Sequence, residues 1–190
     1  MDIIVATKNK GKVREIKKIL AEHNIMSQTE AGIDIDVEET GTTFEENAML
    51  KASAVAEKTN CAVIADDSGI EVDAMGGAPG IYSARYCGEE ATDEDRVEKM
   101  LEEVAGADNR GAQFTCAIAL ILPNGEKHIF KGIVRGTLDF APKGTNGFGY
   151  DPIFIPDGYK NTFGELDSSI KDEISHRANA LKALAEFLER

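Results

Sequence analysis

The sequence has no apolar run long enough to cross a membrane as a helix. A membrane-spanning helix needs about 20 consecutive apolar residues, whereas the longest candidate, Cys116 to Leu122, is the length of a strand and ends at Pro123. The first residues, Met1 to Val5, also lack the basic segment and the long apolar stretch of a signal peptide. We therefore expect a cytoplasmic protein that does not bind a membrane.

Cysteine is scarce, and its pattern supports neither a disulfide framework nor a cysteine metal site. The three cysteines, Cys61, Cys87 and Cys116, lie far apart, and their number is odd. Paired bridges need an even set, and metal-binding cysteines are closely spaced. The simplest interpretation is a set of reduced thiols in a cytosolic protein.

Linker-like and repetitive segments are also missing. The five prolines and 18 glycines are dispersed, and no internal repeat or low-complexity tract is found. The 190 residues, of which 42% are hydrophobic, suffice for one well-buried core or two closely packed lobes. We expect a single domain that covers residues 1–190.

Positive charge is in deficit, because the formal net charge is −13. This balance argues against general binding to nucleic acid or to anionic membranes. Six of the 21 basic residues nevertheless lie within the first 18 positions: Lys8, Lys10, Lys12, Arg14, Lys17 and Lys18. Such a segment could hold a small anion, although a solvated helix face explains the last three equally well.

Apolar residues follow strand and helix periods in alternation. Ile3 to Ala6 is a short apolar run typical of a strand buried on both faces, and helical spacing begins at Lys12. Phe114 to Leu122 and Lys127 to Val134 flank Pro123-Asn124-Gly125, which indicates a hairpin. Hairpin strands are antiparallel, whereas the strand–loop–helix start favours a parallel crossover. The sequence therefore predicts an α/β protein with a mixed sheet.

Two further helices are predicted from their N-caps, and a last one begins near Ser175. Thr43 and Glu46 form a capping-box pattern, and Thr92 caps the next helix. The first of these helices has an apolar inner stripe formed by Phe44, Ala48, Ala52 and Val55. Lys51 falls on this stripe, so either its stem lies along apolar surface or its charge reaches into a cleft.

A polar segment, Thr7-Lys8-Asn9-Lys10-Gly11-Lys12, lies where the first strand gives way to the first helix. Backbone N–H groups and the dipole at the start of a helix favour an anion. Thr7 and Asn9 can donate hydrogen bonds, and Lys12 adds a full charge. The spacing is not that of a Walker loop, so the segment fits either a phosphate site or an ordinary Asn-capped helix.

Two adjacent carboxylates, Asp66 and Asp67, follow the apolar run Ala62 to Ala65, and a half-exposed strand is predicted from Ile70 to Ala74. Carboxylates just past a buried strand are well placed for Mg²⁺, which binds a few carboxylates together with substrate phosphates. An Asp-Ser-Gly turn explains the same residues. Glu38-Glu39 could supply another ligand, or form a solvated edge.

Two further segments suggest a base-binding site. Gly147 to Pro152 places Phe148 and Tyr150 among glycines beside Asp151, where aromatic faces could stack on a nucleobase or pack in a core. Ser175-His176-Arg177 opens the final helix. Cations at a helix N terminus are unfavourable unless an acceptor lies opposite, which is compatible with a binding role.

The sequence resembles the inosine triphosphate pyrophosphatase family along nearly the whole chain. The matching segments are Ala6-Thr7-Lys8-Asn9 with Lys12 and Glu15, Glu38-Glu39-Thr40-Gly41, Thr43 to Ala48 with Lys51-Ala52, Ala65 to Gly69, Gly76 to Tyr86, Gly147 to Pro152, and Ser175-His176-Arg177. The resemblance implies an elongated α/β fold with two lobes around a long mixed β-sheet and flanking helices, and an active site in the cleft between the lobes. It also implies a homodimer with its contact near Gly76 to Tyr86.

The same resemblance implies Mg²⁺-dependent hydrolysis of ITP, dITP and XTP to the monophosphate and pyrophosphate. Asp67 would be the catalytic carboxylate and a metal ligand, and Glu39 would be the second ligand. The substrate-binding residues would be Thr7, Lys8, Asn9, Lys10, Gly11 and Lys12 for the triphosphate, Ser68, then Phe148, Gly149, Tyr150 and Asp151 for the base and sugar, and Lys171, His176 and Arg177 for the purine edge.

Two alternative functions remain open. A phosphatase that forms an aspartyl phosphate would use Asp66 or Asp67, but it needs an Asp-x-Asp spacing that is absent. A nucleotide-sensing module would bind the same purine nucleotide without turnover.

Overall fold

The computed structural model describes all 190 residues, and its six strands form one sheet. The strands are β1 (Asp2–Val5), β2 (Asn24–Ser27), β3 (Ala62–Val72), β4 (Gly111–Ile121), β5 (Lys127–Leu138) and β6 (Phe154–Pro156). Their order in the sheet is β2-β1-β3-β4-β5-β6. Strand β1 is parallel to β2 and β3, whereas β5 and β6 are antiparallel. The predicted α/β fold with a mixed sheet is confirmed.

Five α-helices accompany the sheet. They are α1 (Lys10–Ile19), α2 (Phe44–Ala56), α3 (Asp93–Glu103), α4 (Ser168–Ile174) and α5 (His176–Leu188). Short 3₁₀ segments cover Asp73–Met75, Gly80–Arg85 and Asp151–Ile153. None of the helices has both the length and the apolar composition that a membrane crossing requires.

Local side-chain bonds begin three of the helices. Asn9, Thr43 and Thr92 cap α1, α2 and α3, each through a side-chain oxygen that accepts a backbone N–H of the first turn. Thr92 takes part in a complete capping box. At α2 the Glu46 carboxylate instead accepts from Thr42, so the box predicted at Thr43 is present only in its first half.

Strand β3 runs straight through the turn that the sequence predicts. The expectation of one strand ending at Ala65 and another beginning at Ile70 is wrong, because β3 is continuous from Ala62 to Val72 and includes both aspartates. Gly69 serves close packing here rather than a turn, since a Cβ at this position would lie 2.2 Å from the carbonyl oxygen of Gly80. The carboxylates therefore lie within the strand, not beyond its end.

The chain divides into two compact units. The first comprises Met1–Asp67, Cys116–Gly132 and Arg177–Arg190, and the second comprises Ser68–Thr115 and Ile133–His176. The core of the first unit is built from β1 to β4 with α1 and α5. The core of the second is built from its parts of β3, β4 and β5 with α3 and β6.

Candidate active site

Asp66 lies at the centre of a buried ion network in the first unit. Its carboxylate accepts from Nε of Arg177 at 2.9 Å and from Sγ of Cys116 at 2.9 Å, and it pairs with Lys12. Arg177 also pairs with Glu15. Burial opposes ionisation of Asp66, but the charges of Arg177 and Lys12 outweigh it and hold its pKa well below the usual range. Asp66 is therefore a fixed anion that orients Lys12.

Asp67 contacts different groups, because successive side chains of a strand point to opposite faces. Its Oδ1 accepts from Nζ of Lys51 at 3.0 Å, and the same ammonium donates to Oε1 of Glu39 at 2.7 Å. Oδ2 of Asp67 is buried and has no hydrogen-bond partner. Burial raises the pKa of Asp67 to about 6 against the opposing charges of Lys51 and Lys12.

Glu39 and Asp67 fit a hard divalent cation. Both carboxylates converge on one ammonium group, so they face the same point, and Asp67 keeps one buried oxygen unused. Mg²⁺ commonly binds one or two carboxylates, with waters and substrate phosphates as its other ligands. No group of three or more His, Cys, Asp or Glu side chains is arranged to hold a metal. A cation bound here would therefore depend on further oxygens from water or substrate.

Lys51 reaches the charged groups instead of lying along apolar surface. Besides Glu39 and Asp67, its ammonium donates to the main-chain oxygen of Asp66 at 2.8 Å. Burial disfavours its charge, but Asp67 and Glu39 outweigh this effect and raise the pKa of Lys51. Of the two interpretations left open by the sequence, the structure therefore supports the one in which the charge of Lys51 reaches away from the apolar stripe toward other charged groups.

The segment from Thr7 to Lys12 combines an Asn cap with a basic surface. Oδ1 of Asn9 accepts from the Lys12 N–H at 3.1 Å, and the Asn9 N–H donates to Oγ1 of Thr7 at 3.1 Å. Lys8 pairs with two exposed aspartates at 3.1 and 2.9 Å, whereas Lys10 and Gly11 begin α1. A cavity of about 480 Å³ adjoins the segment, lined by Thr7, Lys8, Lys10, Val13, Arg14, Lys17, Ser27, Thr29 and Glu30.

Three of the predicted base-binding residues meet in the second unit. Nζ of Lys171 donates to Oδ2 of Asp151 at 2.7 Å and lies 4.5 Å from the centre of the Phe148 ring. The backbone N–H of Phe148 donates to the same carboxylate oxygen at 3.0 Å. A cation, an aromatic face and a carboxylate are thus held together. Ser68, half-buried in β3, belongs to the same unit.

The other residues predicted around the base have structural contacts of their own. Tyr150 is buried, and its hydroxyl donates to the main-chain oxygen of Ser83 at 2.6 Å, so it packs in the core. The Gly149 N–H donates to Oδ2 of Asp93 at 2.9 Å. His176 stacks on Phe114, with 4.8 Å between ring centres.

The three residues predicted to read the purine edge, Lys171, His176 and Arg177, are assigned to different units of the chain. Lys171 and His176 belong to the second unit, whereas Arg177 belongs to the first, where Asp66 and Glu15 engage its guanidinium. Arg177 is 1% exposed. Its role as a reader of the base stays a prediction, and the structure gives it a definite partner in Asp66. Glu15 and Cys116 complete this network, although sequence reasoning assigned no role to either.

We expect Arg177→Met to lower the free energy of unfolding by about 3–5 kcal/mol, because it removes the buried cation that pairs with both Asp66 and Glu15. Urea denaturation at neutral pH measures the loss. Arg135→Met is the matched control, since Arg135 pairs with Asp73 at 2.8 Å at a partly exposed site, where an ion pair contributes only about 0–1 kcal/mol. Equal losses in the two variants would contradict the structural importance of the Arg177 network.

Comparison with known proteins finds relatives that match this chain over nearly its whole length. Residues 3–187 match the sequence model of the Ham1 family. The chain is 48% identical over 188 residues to the dITP/XTP pyrophosphatase of Staphylococcus epidermidis, covering 99% of this chain and 96% of the relative. It is 47% identical over 193 residues to the dITP/XTP pyrophosphatase of Bacillus licheniformis, covering 100% and 98%.

A solved structure shares the fold as well. The Ham1 protein of Staphylococcus aureus superposes with a TM-score of 0.89 at 46% identity, covering 100% of this chain and 98% of that one. The resemblance noted in the sequence is thereby confirmed, and this chain belongs to the Ham1 family.

Proposed function

We propose that this chain is a nucleoside triphosphate pyrophosphatase that clears non-standard purine nucleotides from the nucleotide pool. Its substrates would be dITP, XTP and ITP, hydrolysed to the monophosphate and pyrophosphate. One observation carries the proposal: the carboxylates of Glu39 and Asp67 both bond to the ammonium group of Lys51 and so face the same point. Nearby in the chain's fold, Asp66 holds the side chain of Lys12 through an ion pair. The names of the relatives, dITP/XTP pyrophosphatases, support the choice of substrate.

Glu39 and Asp67 would hold the metal ion, which we propose to be Mg²⁺. When bound, Mg²⁺ would supply positive charge that compensates the charge developing on the phosphate oxygens. Lys12, oriented by Asp66, contributes a second positive charge toward the triphosphate. The unused Oδ2 of Asp67 is available to orient a water molecule and accept its proton. The water oxygen bonds to the α-phosphorus, the bond to the bridging oxygen breaks, and pyrophosphate leaves.

Residues of the second unit would hold the purine. The Phe148 ring offers a face for stacking, and Lys171 and Asp151 offer a donor and an acceptor beside it. Thr7 to Lys12 would bind the triphosphate, next to the cavity with its basic lining. We further propose that the chain acts in the cytoplasm as a homodimer that contacts its partner near Gly76 to Tyr86. With its net charge of −13 it would bind neither nucleic acid nor membrane.

Product analysis tests the proposed function directly. Incubation with dITP and Mg²⁺ is expected to yield dIMP and pyrophosphate. Chelation of the metal is expected to stop the reaction, because the negative charge of the phosphates would then lack the cation that compensates it. Ion-exchange chromatography separates the nucleotides, and a coupled assay detects pyrophosphate. Release of dIDP and orthophosphate as primary products would contradict the proposal. Tight binding of dITP without turnover would instead favour a nucleotide-sensing module.

A further inference from the structure

The segment that carries Glu39 runs back along helix α2 and is held there by side chains of the helix. Oδ1 of Asn47 accepts from the Gly41 N–H at 2.8 Å. One turn further along, Nζ of Lys51 donates to Oε1 of Glu39 at 2.7 Å. The helix therefore holds this segment at two points, once by its main chain and once by the carboxylate itself.

Asn47 is a polar residue at a position on the buried face of α2, where apolar residues are usual. It is 0% exposed and lies among the apolar residues of the inner stripe, and its Nδ2 has no hydrogen-bond partner. A buried amide with an unused donor is unfavourable, and an apolar side chain of similar size would avoid that cost. What the Asn47 side chain does in this structure is to accept a hydrogen bond from the Gly41 N–H at its Oδ1.

The contact between Asn47 and residue 41 leaves no space for a side chain at position 41, where the sequence has glycine. A Cβ at position 41 would lie 2.6 Å from Oδ1 of Asn47 and 2.7 Å from Cβ of Glu46. The φ angle of Gly41 is not in the positive region, so close approach, and not backbone conformation, requires glycine here. The approach fixes the main chain two residues beyond Glu39.

The two points of attachment differ once a divalent cation binds. The Lys51 ammonium and the cation would compete for the same Glu39 carboxylate, because both are positive charges bound by its oxygens. The bond between Asn47 and Gly41 involves neither that carboxylate nor any other charge. It can therefore hold the segment in place whether or not the metal is present.

We propose that Asn47 is a positioning residue for the metal site, acting through the Gly41 main chain to set the Glu39 carboxylate opposite Asp67. The inference rests on the proposed function, in which Glu39 is a metal ligand. Groups that orient metal ligands typically change metal affinity by about 10- to 100-fold when they are removed. Asn47 thus contributes to cation affinity although it does not contact the cation.

Asn47→Leu tests the inference, because leucine keeps the branched shape and the number of heavy atoms and removes both the acceptor and the unused donor. We expect the half-saturating Mg²⁺ concentration in dITP hydrolysis to rise about 10-fold, with the KM for dITP at saturating Mg²⁺ and the Tm unchanged. Hydrogen exchange of the Gly41 amide, followed by NMR without metal or substrate, is expected to accelerate because its acceptor is lost. This second readout does not depend on activity.

Two further variants complete the experiment. Gly41→Ala disturbs the same contact from the other side, and it should raise the half-saturating Mg²⁺ concentration as Asn47→Leu does. Gln113→Ala removes a side-chain amide that donates to Glu71 and Thr115 in the second unit, and it should leave the Mg²⁺ dependence unchanged. Wild-type Mg²⁺ dependence in both Asn47→Leu and Gly41→Ala, with pyrophosphate still released, would overturn the inference and leave the proposed function standing. Absence of pyrophosphate release by the wild type would overturn the proposed function itself.

Discussion

Asp67→Asn is expected to lower the turnover of dITP by at least about 10²-fold, the usual scale for loss of a general base or of charge stabilisation. Asparagine has nearly the same shape as aspartate, but it cannot take a proton from water and it binds Mg²⁺ more weakly. The variant should fold normally, because the strand and the Lys51 contact to Glu39 persist. Steady-state kinetics with dITP measures the loss, and circular dichroism with thermal denaturation checks the fold.

Asp66→Asn is the matched variant for this prediction. It removes the neighbouring carboxylate of the same strand, but that carboxylate pairs with Arg177 and Lys12 inside the first unit. We therefore expect Asp66→Asn to lower the Tm as well as the activity, whereas Asp67→Asn should lower activity alone. Near-normal turnover in Asp67→Asn would move the catalytic role to Asp66 or Glu39.

The helix caps are well predicted from the sequence, because a cap depends on residues within one turn of each other. The side chains of Thr43 and Thr92 accept the expected backbone N–H groups, and Asn9 caps α1. The hairpin around Pro123-Asn124-Gly125 is equally local, and the Gly125 N–H donates back to Leu122 at 2.9 Å. Each of these features needs no information from elsewhere in the chain.

The short elements could not be predicted in the same way. Strands β2 and β6 have four and three residues, and α4 has seven. A hydrophobic period needs a longer window before it can be told from chance. The two strands form the ends of the sheet, where they depend on pairing with a neighbour that the sequence does not identify.

The candidate site is only partly visible in the sequence, because its contacts join distant positions. Arg177 lies 111 residues from Asp66 and 162 residues from Glu15, and no local pattern relates them. The sequence contains one hint of this network, because the charged residue Glu15 lies next to Ile16 on helix α1, whose inner face is apolar. The prediction that the strand ends at Asp66 and Asp67 is wrong for a similar reason. Gly69 is required for close packing against Gly80 and Ser83, which come later in the chain, and not for a turn.

Discrimination between purines is expected to be the largest effect, with ATP a poorer substrate than ITP by about 10⁴-fold in kcat/KM. Hypoxanthine, xanthine and guanine carry a 6-oxo acceptor, whereas adenine carries a 6-amino donor. The Lys171 ammonium, held by Asp151 over the Phe148 ring, would donate to the oxygen and leave the amino group of adenine without an acceptor. Guanine would be excluded through its 2-amino group, by a clash or by the lack of an acceptor.

Lys171→Ala should reduce kcat/KM for ITP, because the donor to the 6-oxo group is lost. The ratio of kcat/KM for ITP to kcat/KM for ATP should therefore become smaller. The measurement compares kcat/KM for inosine, guanosine and adenosine triphosphates in the wild type and the variant. Lys143→Ala is the control, since Lys143 pairs with Asp139 at 2.9 Å in the same unit, and it should leave the ratio unchanged. Equal wild-type values for ITP and ATP would refute recognition of the 6-oxo group. Unchanged selectivity in Lys171→Ala would assign that recognition to His176 or Arg177, and for Arg177 it would require the ion network with Asp66 to open when substrate binds.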